Sequence, residues 1–179
     1  DLLRDLLGAE ELRELLDPDA FAEVAASLRR EPRDGDELHD LLRRTGGLLP
    51  SEADPVFAEL LVGQRRAFRV DVGGTSLLVA TEDAGLVRDA LGAMPPSGLP
   101  DSFLTAVDSA LAALLLRHAR SSLPFTTAEV ANRFGLPVPL AVRELAALET
   151  AELLIRGELR PGGTEREWCD PTVLQRLRR

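Results

Sequence analysis

Apolar residues recur every three or four positions through most of this chain, the spacing of helices with one buried face. Residues 101–120 carry Phe103, Val107, Leu111, Leu114 and His118 along such a face. Thr126 and Glu129 then stand as a capping box, with Phe125 and Val130 placed as its hydrophobic staple. Gly135 is positioned to end that helix in a left-handed conformation. A further helix is expected over residues 139–150, burying Ala141, Leu145 and Leu148. The period then shortens to two. Residues 153–160 predict a strand, Pro161-Gly162-Gly163-Thr164 a turn, and residues 165–169 the returning strand.

The first half repeats this order. Helices are expected over 18–30 (Phe21, Val24, Leu28), 34–44 (capped by Asp34 and Glu37) and 54–64 (Val56, Phe57, Leu60, Leu61). A hairpin over 66–72 and 76–81 follows, turning at Gly73-Gly74-Thr75. Aligning the halves sets Phe57-Ala58-Glu59-Leu60 on Val142-Arg143-Glu144-Leu145, and Gly73-Gly74-Thr75 on Gly162-Gly163-Thr164. Each hairpin returns into an Asp-led helix, from Asp83 and from Asp170. Three helices and a hairpin is the winged-helix order, with a helix-turn-helix at the tight second connection. The expected fold is mainly α with small β-hairpins (α+β), as tandem winged-helix domains at 1–98 and 99–179. The Pro- and Gly-containing stretch 93–100 joins them.

Charge distinguishes the two domains. Residues 1–98 hold 20 acidic side chains against 11 Arg, and residues 99–179 hold ten of each, which accounts for the net −9. An acidic first domain repels phosphate backbones at long range, so strong nonspecific DNA binding is not expected of it. All 21 basic residues are Arg, and with abundant Ala and Leu this reads as a base-composition bias of the genome. The single Cys excludes an internal disulfide and fits a reducing, cytoplasmic setting. The longest apolar run, residues 110–116, falls far short of the roughly 20 residues a membrane span needs. The chain opens inside an amphipathic run (Leu2, Leu3, Leu6, Leu7) and stops with its helical pattern still running, so it is expected to be a segment of a longer polypeptide.

The stretches PFTTAEVANRFGLPVPLAVRELAALE and GELRPGGTEREWCDPTVLQRLRR resemble the region C-terminal to the helicase core in bacterial Lhr (large helicase-related) proteins. So do LLGAEELRELLDPDAFAEV, ELHDLLRRTGGL and TEDAGLVRDALG, and the resemblance covers nearly the whole chain. It implies a parent that is an ATP-dependent superfamily 2 DNA helicase associated with repair, translocating along single-stranded DNA. ATP and Mg would belong to that parent's core: this chain has no GxxxxGK[ST] and no DExH-type box. The family's C-terminal region also resembles winged-helix DNA glycosylases, whose Gln-x-Gln motif does not occur here.

No catalytic, metal or cofactor site is expected in the segment itself. Zinc needs about four Cys/His ligands, and Cys169, His39 and His118 do not supply them. The histidines read as partly buried helix residues. Cys169 lies between Glu167 and Asp170, which oppose a reactive thiolate. Arg133, Arg143, Arg156, Arg160 and Arg166 are the candidates for a weak, sequence-independent contact with DNA. Trp168 has two readings, a core ring at the base of the hairpin or a platform for a base. The helix over 139–150 offers only Arg143 beside Glu144 and Glu149, which suits packing on protein better than reading base edges. The expectation is therefore a scaffold that packs on other domains of the parent helicase and is suited to homo-oligomerisation, with no membrane role. A free-standing winged-helix transcription regulator is the alternative.

Overall fold

The computed structural model describes residues 17–178, so the apolar run at positions 2–7 lies outside them. Its first round of elements is α1 (Pro18–Leu28), α2 (Gly35–Thr45), a 3-10 turn (Pro50–Glu52), α3 (Pro55–Gly63), β1 (Ala67–Val72), β2 (Thr75–Ala80) and α4 (Ala84–Leu91). The second round is α5 (Ala110–Arg120), α6 (Thr127–Phe134), α7 (Val138–Thr150), β3 (Ile155–Gly157), β4 (Glu167–Cys169) and α8 (Pro171–Leu177). Two separate antiparallel hairpins, β1–β2 and β3–β4, make this a mainly helical α+β fold.

Local chemistry sets most helix starts. Asp17, Asp54 and Asp170 each accept backbone N–H bonds at an N-cap and are each followed by Pro, whose missing N–H costs nothing in the first turn. Asp34 caps α2 by accepting from the Glu37 N–H. The Thr126–Glu129 capping box forms, and Gly135 ends α6 at φ 61°. Asp83 departs from this pattern. It makes no capping bond, and its buried carboxylate faces Arg117 at 3.0 Å and Arg43 at 3.6 Å.

The helix expected over 101–120 begins only at Ala110. Residues Asp101–Phe103 make a 3-10 turn, Ser109 takes a φ of 50°, and the Val107 N–H donates to Asp89 Oδ2 at 2.9 Å. Tertiary bonds have claimed a stretch whose apolar spacing alone suited a helix.

The repeat is also realised differently from its sequence alignment. Leu48, after α2, bridges to Leu78 of β2, while Phe125, after α5, bridges to Trp168 of β4. That equivalence gives α2 the first-helix place that α5 holds in the second round. The 3-10 turn Pro50–Glu52 then stands where α6 stands, so the first round has no full helix-turn-helix. Burial shifts the third helices by one residue: Leu61, not Leu60, is the buried counterpart of Leu145, and Leu60 is 48% exposed.

That leaves α1 outside its own round. Val24, with Phe21 and Leu28, packs into a cluster formed by Leu159, Cys169, Val173, Leu174 and Leu177. A second cluster, from Leu38 to Ala80, belongs to the first round alone. The largest runs from Phe68 through Leu114 and Phe134 to Trp168, so the halves share one core.

Candidate nucleic-acid interface

The second hairpin pairs Ile155 with Cys169, Arg156 with Trp168 and Gly157 with Glu167, and is shorter than the alternation predicts. The reason is Glu167. Its side chain turns inward, 1% exposed, and Oε2 accepts the Leu159 N–H at 2.7 Å. A Cβ on Gly163 would lie 2.7 Å from Glu167 Oε1, so that glycine makes room for the carboxylate. The loop between the strands is therefore folded around a buried acid instead of continuing the ladder.

Trp168 is a core residue. It is 1% exposed, its Nε1–H donates to Thr127 Oγ1 at 2.9 Å, and its backbone exchanges two hydrogen bonds with Phe125. Stacking on a base is worth about 1–3 kcal/mol, no more than the roughly 2–3 kcal/mol gained by burying such a ring. Of its two readings, the ring's position is that of a core residue at the base of the hairpin.

The arginines divide into two groups. Arg133 is interior, 8% exposed, with Nη1 donating to Glu52 Oε1 at 2.6 Å and Nη2 to the Gly47 carbonyl at 2.9 Å. Arg160 donates to the Pro124 carbonyl and to both Glu129 oxygens at 2.6–2.8 Å. The pair holds the Glu129 carboxyl below its ordinary range and the guanidinium above its own. Neither is a free cation for phosphate, and Arg133 is buried as well. Arg156 is half-buried, with its guanidinium 4.8 Å from the Trp168 ring centroid, a cation–π contact. Arg143 and Arg166 are exposed, and Arg143 makes only a surface contact with Glu144.

On α7, Val138, Val142, Ala146 and Ala147 face solvent, and Leu153 follows them. On α3, Val56 and Leu60 do the same. Both helices at the DNA-reading position thus present apolar surface, with Arg143 the one cation on α7 and none on α3.

Acid–base chemistry is held down inside the fold. Burial, then Asp170, pushes the Cys169 thiol up to about 12, which keeps it protonated. Burial, reinforced by the charges of Arg133 and Arg29, lowers His118 well below its ordinary value. His39 Nε2 lies 3.0 Å from Glu82 Oε2. Among the described residues no three His, Cys, Asp or Glu side chains cluster as metal ligands, and no helix is long and apolar enough to cross a membrane.

One partly buried ion-pair cluster had no sequence signal. Glu52, from the short 3-10 turn, joins Arg29, the C-cap of α1, to Arg133 of α6. Its partners lie 23 and 81 residues away, in segments with no shared motif.

Comparison with known proteins fits this architecture. A family model described as the winged-helix domain of the large helicase-related protein matches residues 14–106. The chain is 40% identical over 191 aligned residues to an Lhr helicase/probable uracil glycosylase of Mycolicibacterium smegmatis, covering 99% of this chain and 13% of that protein. It is 31% identical over 193 residues to the Lhr helicase/uracil glycosylase of Escherichia coli, covering 99% of this chain and 12% of that protein. The chain thus spans only a small fraction of the curated relatives it matches, and it belongs to the large helicase-related family.

Proposed function

We propose that this segment is a non-catalytic scaffold and assembly module of an ATP-dependent, cytoplasmic DNA-repair helicase, with a weak sequence-independent contact to DNA. The carrying observation is the character of α7. A base-reading helix needs Arg, Lys, Asn or Gln along its exposed face, and α7 exposes Val138, Val142, Ala146 and Ala147 there instead. The lack of a complete helix-turn-helix in the first round argues the same way. Such faces suit other domains of the parent protein or a second copy of it. ATP and Mg act in a core outside this chain.

DNA contact falls to Arg143 and Arg166, which are exposed, with Arg156 half-buried. Releasing Arg156 from Trp168 costs about 1 kcal/mol, comparable to what a surface phosphate contact returns, so it contributes little. The alternative of a free-standing regulator is not favoured by the family assignment.

The test is fluorescence anisotropy of the chain with labelled single-stranded, duplex and forked DNA, titrated with salt. The expected result is micromolar binding without sequence preference, at a salt slope equivalent to about two to four phosphates. Arg143→Ala and Arg166→Ala should each reduce that slope by roughly one. Absence of binding at low salt would remove the DNA contact. A parent helicase that assembles and unwinds normally without this segment would remove the scaffold.

A further inference from the structure

Where α1, the α5–α6 connection, α6 and the second hairpin meet, they border a cleft of about 650 Å3. That lies within the range of small-molecule sites, roughly 300–1,000 Å3. One wall is apolar, from Leu28, Leu49, Leu123 and Phe125. The rest brings Arg29, Arg133 and Arg160 together with the Ser122 hydroxyl.

The charge balance of this cleft is opposite to that of the chain. Three guanidiniums line it against the single carboxylate Glu129, and Glu52 stands behind Arg29 and Arg133. The count is three cations to two anions in a chain of net −9. His118, at the same cleft, adds no charge near neutral pH, because burial and the two neighbouring arginines oppose its protonation. A concave site with surplus positive charge concentrates anions locally.

Hydrogen bonding leaves one buried donor over as well, although Arg29 already donates to the Ser121 carbonyl, Glu52 and Ser122 Oγ. Glu52 Oε2 accepts from both Arg29 and Arg133, so two guanidiniums divide one carboxylate. Arg133 is buried, and its Nε–H finds no acceptor among the described residues. Burial and the charge of Arg133 also make Arg29 easier to deprotonate than an ordinary arginine, a repulsion that a second anion relieves. Guanidinium forks with an adjacent hydroxyl supply more donors than the two oxygens of a carboxylate use, and they match a phosphate monoester. The apolar wall suits a flat ring.

We propose that this cleft binds a nucleoside monophosphate unit, with its terminal phosphate against Arg29 and Ser122 and its ring against Leu28, Leu49 and Phe125. The unit is either a free 5′-nucleotide or the 5′-phosphorylated end of a DNA strand. The strand-end source rests on the DNA reading above, and the free-nucleotide source does not.

The experiment is titration calorimetry of the 179-residue chain with dAMP, deoxyadenosine and inorganic phosphate. It is paired with anisotropy on oligonucleotides bearing a 5′-phosphate or a 5′-hydroxyl. dAMP should bind at least about tenfold more tightly than either half alone, since both walls contribute. Arg29→Gln and Ser122→Ala, with unchanged circular dichroism, should each weaken it about fivefold or more. Arg143→Ala and Arg166→Ala should leave it unchanged. A phosphorylated oligonucleotide that outbinds its hydroxyl form, with the same sensitivity to Arg29→Gln, assigns the strand end. dAMP binding without that discrimination assigns the free nucleotide, and the cleft then stands whether or not the chain binds DNA. Equal affinity for dAMP and inorganic phosphate, or dAMP affinity retained in both cleft variants, overturns the proposal. DNA binding that depends on Arg143 and Arg166 with no dAMP binding overturns the cleft alone and leaves the DNA contact intact.

Discussion

His118 stands edge-on to Phe125 and Phe134, with ring centroids 4.8 and 5.6 Å away, and its Nδ1 is 3.2 Å from Ser122 Oγ. Its helical position could be read from the sequence, but where partial burial is expected the residue is instead buried, 6% exposed. The two arginines that bear on it could not be read there, because Arg29 and Arg133 reach it only through tertiary folding. The consequence is a pH dependence with a definite sign. Unfolded histidine titrates near 6.5, and folded His118 titrates well below that. Between the two values the unfolded chain takes a proton that the folded chain refuses. Stability is therefore full above about 6.5 and falls as pH drops, with a limiting slope of about 1.4 kcal/mol per pH unit. Against the desolvation that opposes this, Arg133 and Arg29 hold the half-buried Glu52 carboxyl below its ordinary range, so its loss belongs to more acid conditions, below about 4.3. Urea midpoints at pH 7.5, 6.0 and 5.0 check this. His118→Gln should lower stability at pH 7.5 yet flatten the pH slope, and parallel slopes in the two proteins would refute the assignment.

At the scale of elements, what the sequence made legible was whatever is decided locally. The Asp34 cap, the Asp170-led start, the Thr126–Glu129 box, the Gly135 stop and the Gly73-Gly74 turn all formed, because each needs only its own neighbours. The elements misread were those decided elsewhere: residues 104–109, drawn off by Asp89, and the ends of β3 and β4, cut short by Glu167. Gly135 belongs to both classes. Its φ of 61° is a local requirement, yet its Cα also meets the tip of the first hairpin, where an added Cβ would lie 2.2 Å from the Val72 carbonyl oxygen. Thr75 Oγ1 donates to the Asn132 carbonyl at 2.8 Å beside it. Gly92 is the natural control, with φ 68° and no atom within 4 Å of an added methyl. Gly92→Ala should cost only the left-handed penalty, about 1–2 kcal/mol. Gly135→Ala should exceed it by at least about 2 kcal/mol, because backbone cannot step aside as a flexible side chain can. Equal losses in urea unfolding would mean that the hairpin tip does not seat on α6.

Across the whole molecule, the repeat was visible in sequence and its wiring was not. Helix order is written in local periodicity, but which round a helix packs on is decided by surfaces that pattern alone leaves equivalent. α1 illustrates this: its apolar face, Phe21, Val24 and Leu28, would suit any exposed groove, and it covers α8, with Arg176 reaching back to Ser27. Glu52–Arg133, Asp83–Arg117 and the Gly73–Gly135 approach cross between the same halves. Several independent contacts and a shared core mean that neither half can open without exposing apolar surface on the other. The chain should therefore unfold as one unit. Trp168 reports on the second half and far-ultraviolet circular dichroism on both, and their denaturation curves should coincide. Val24→Ala, made in the first half, should lower the midpoint seen by Trp168 as much as that seen by circular dichroism, by about 1–2 kcal/mol. If the fluorescence midpoint stayed in place while the dichroism shifted, α1 and the second half would be folding independently, and the shared core would carry no coupling between them.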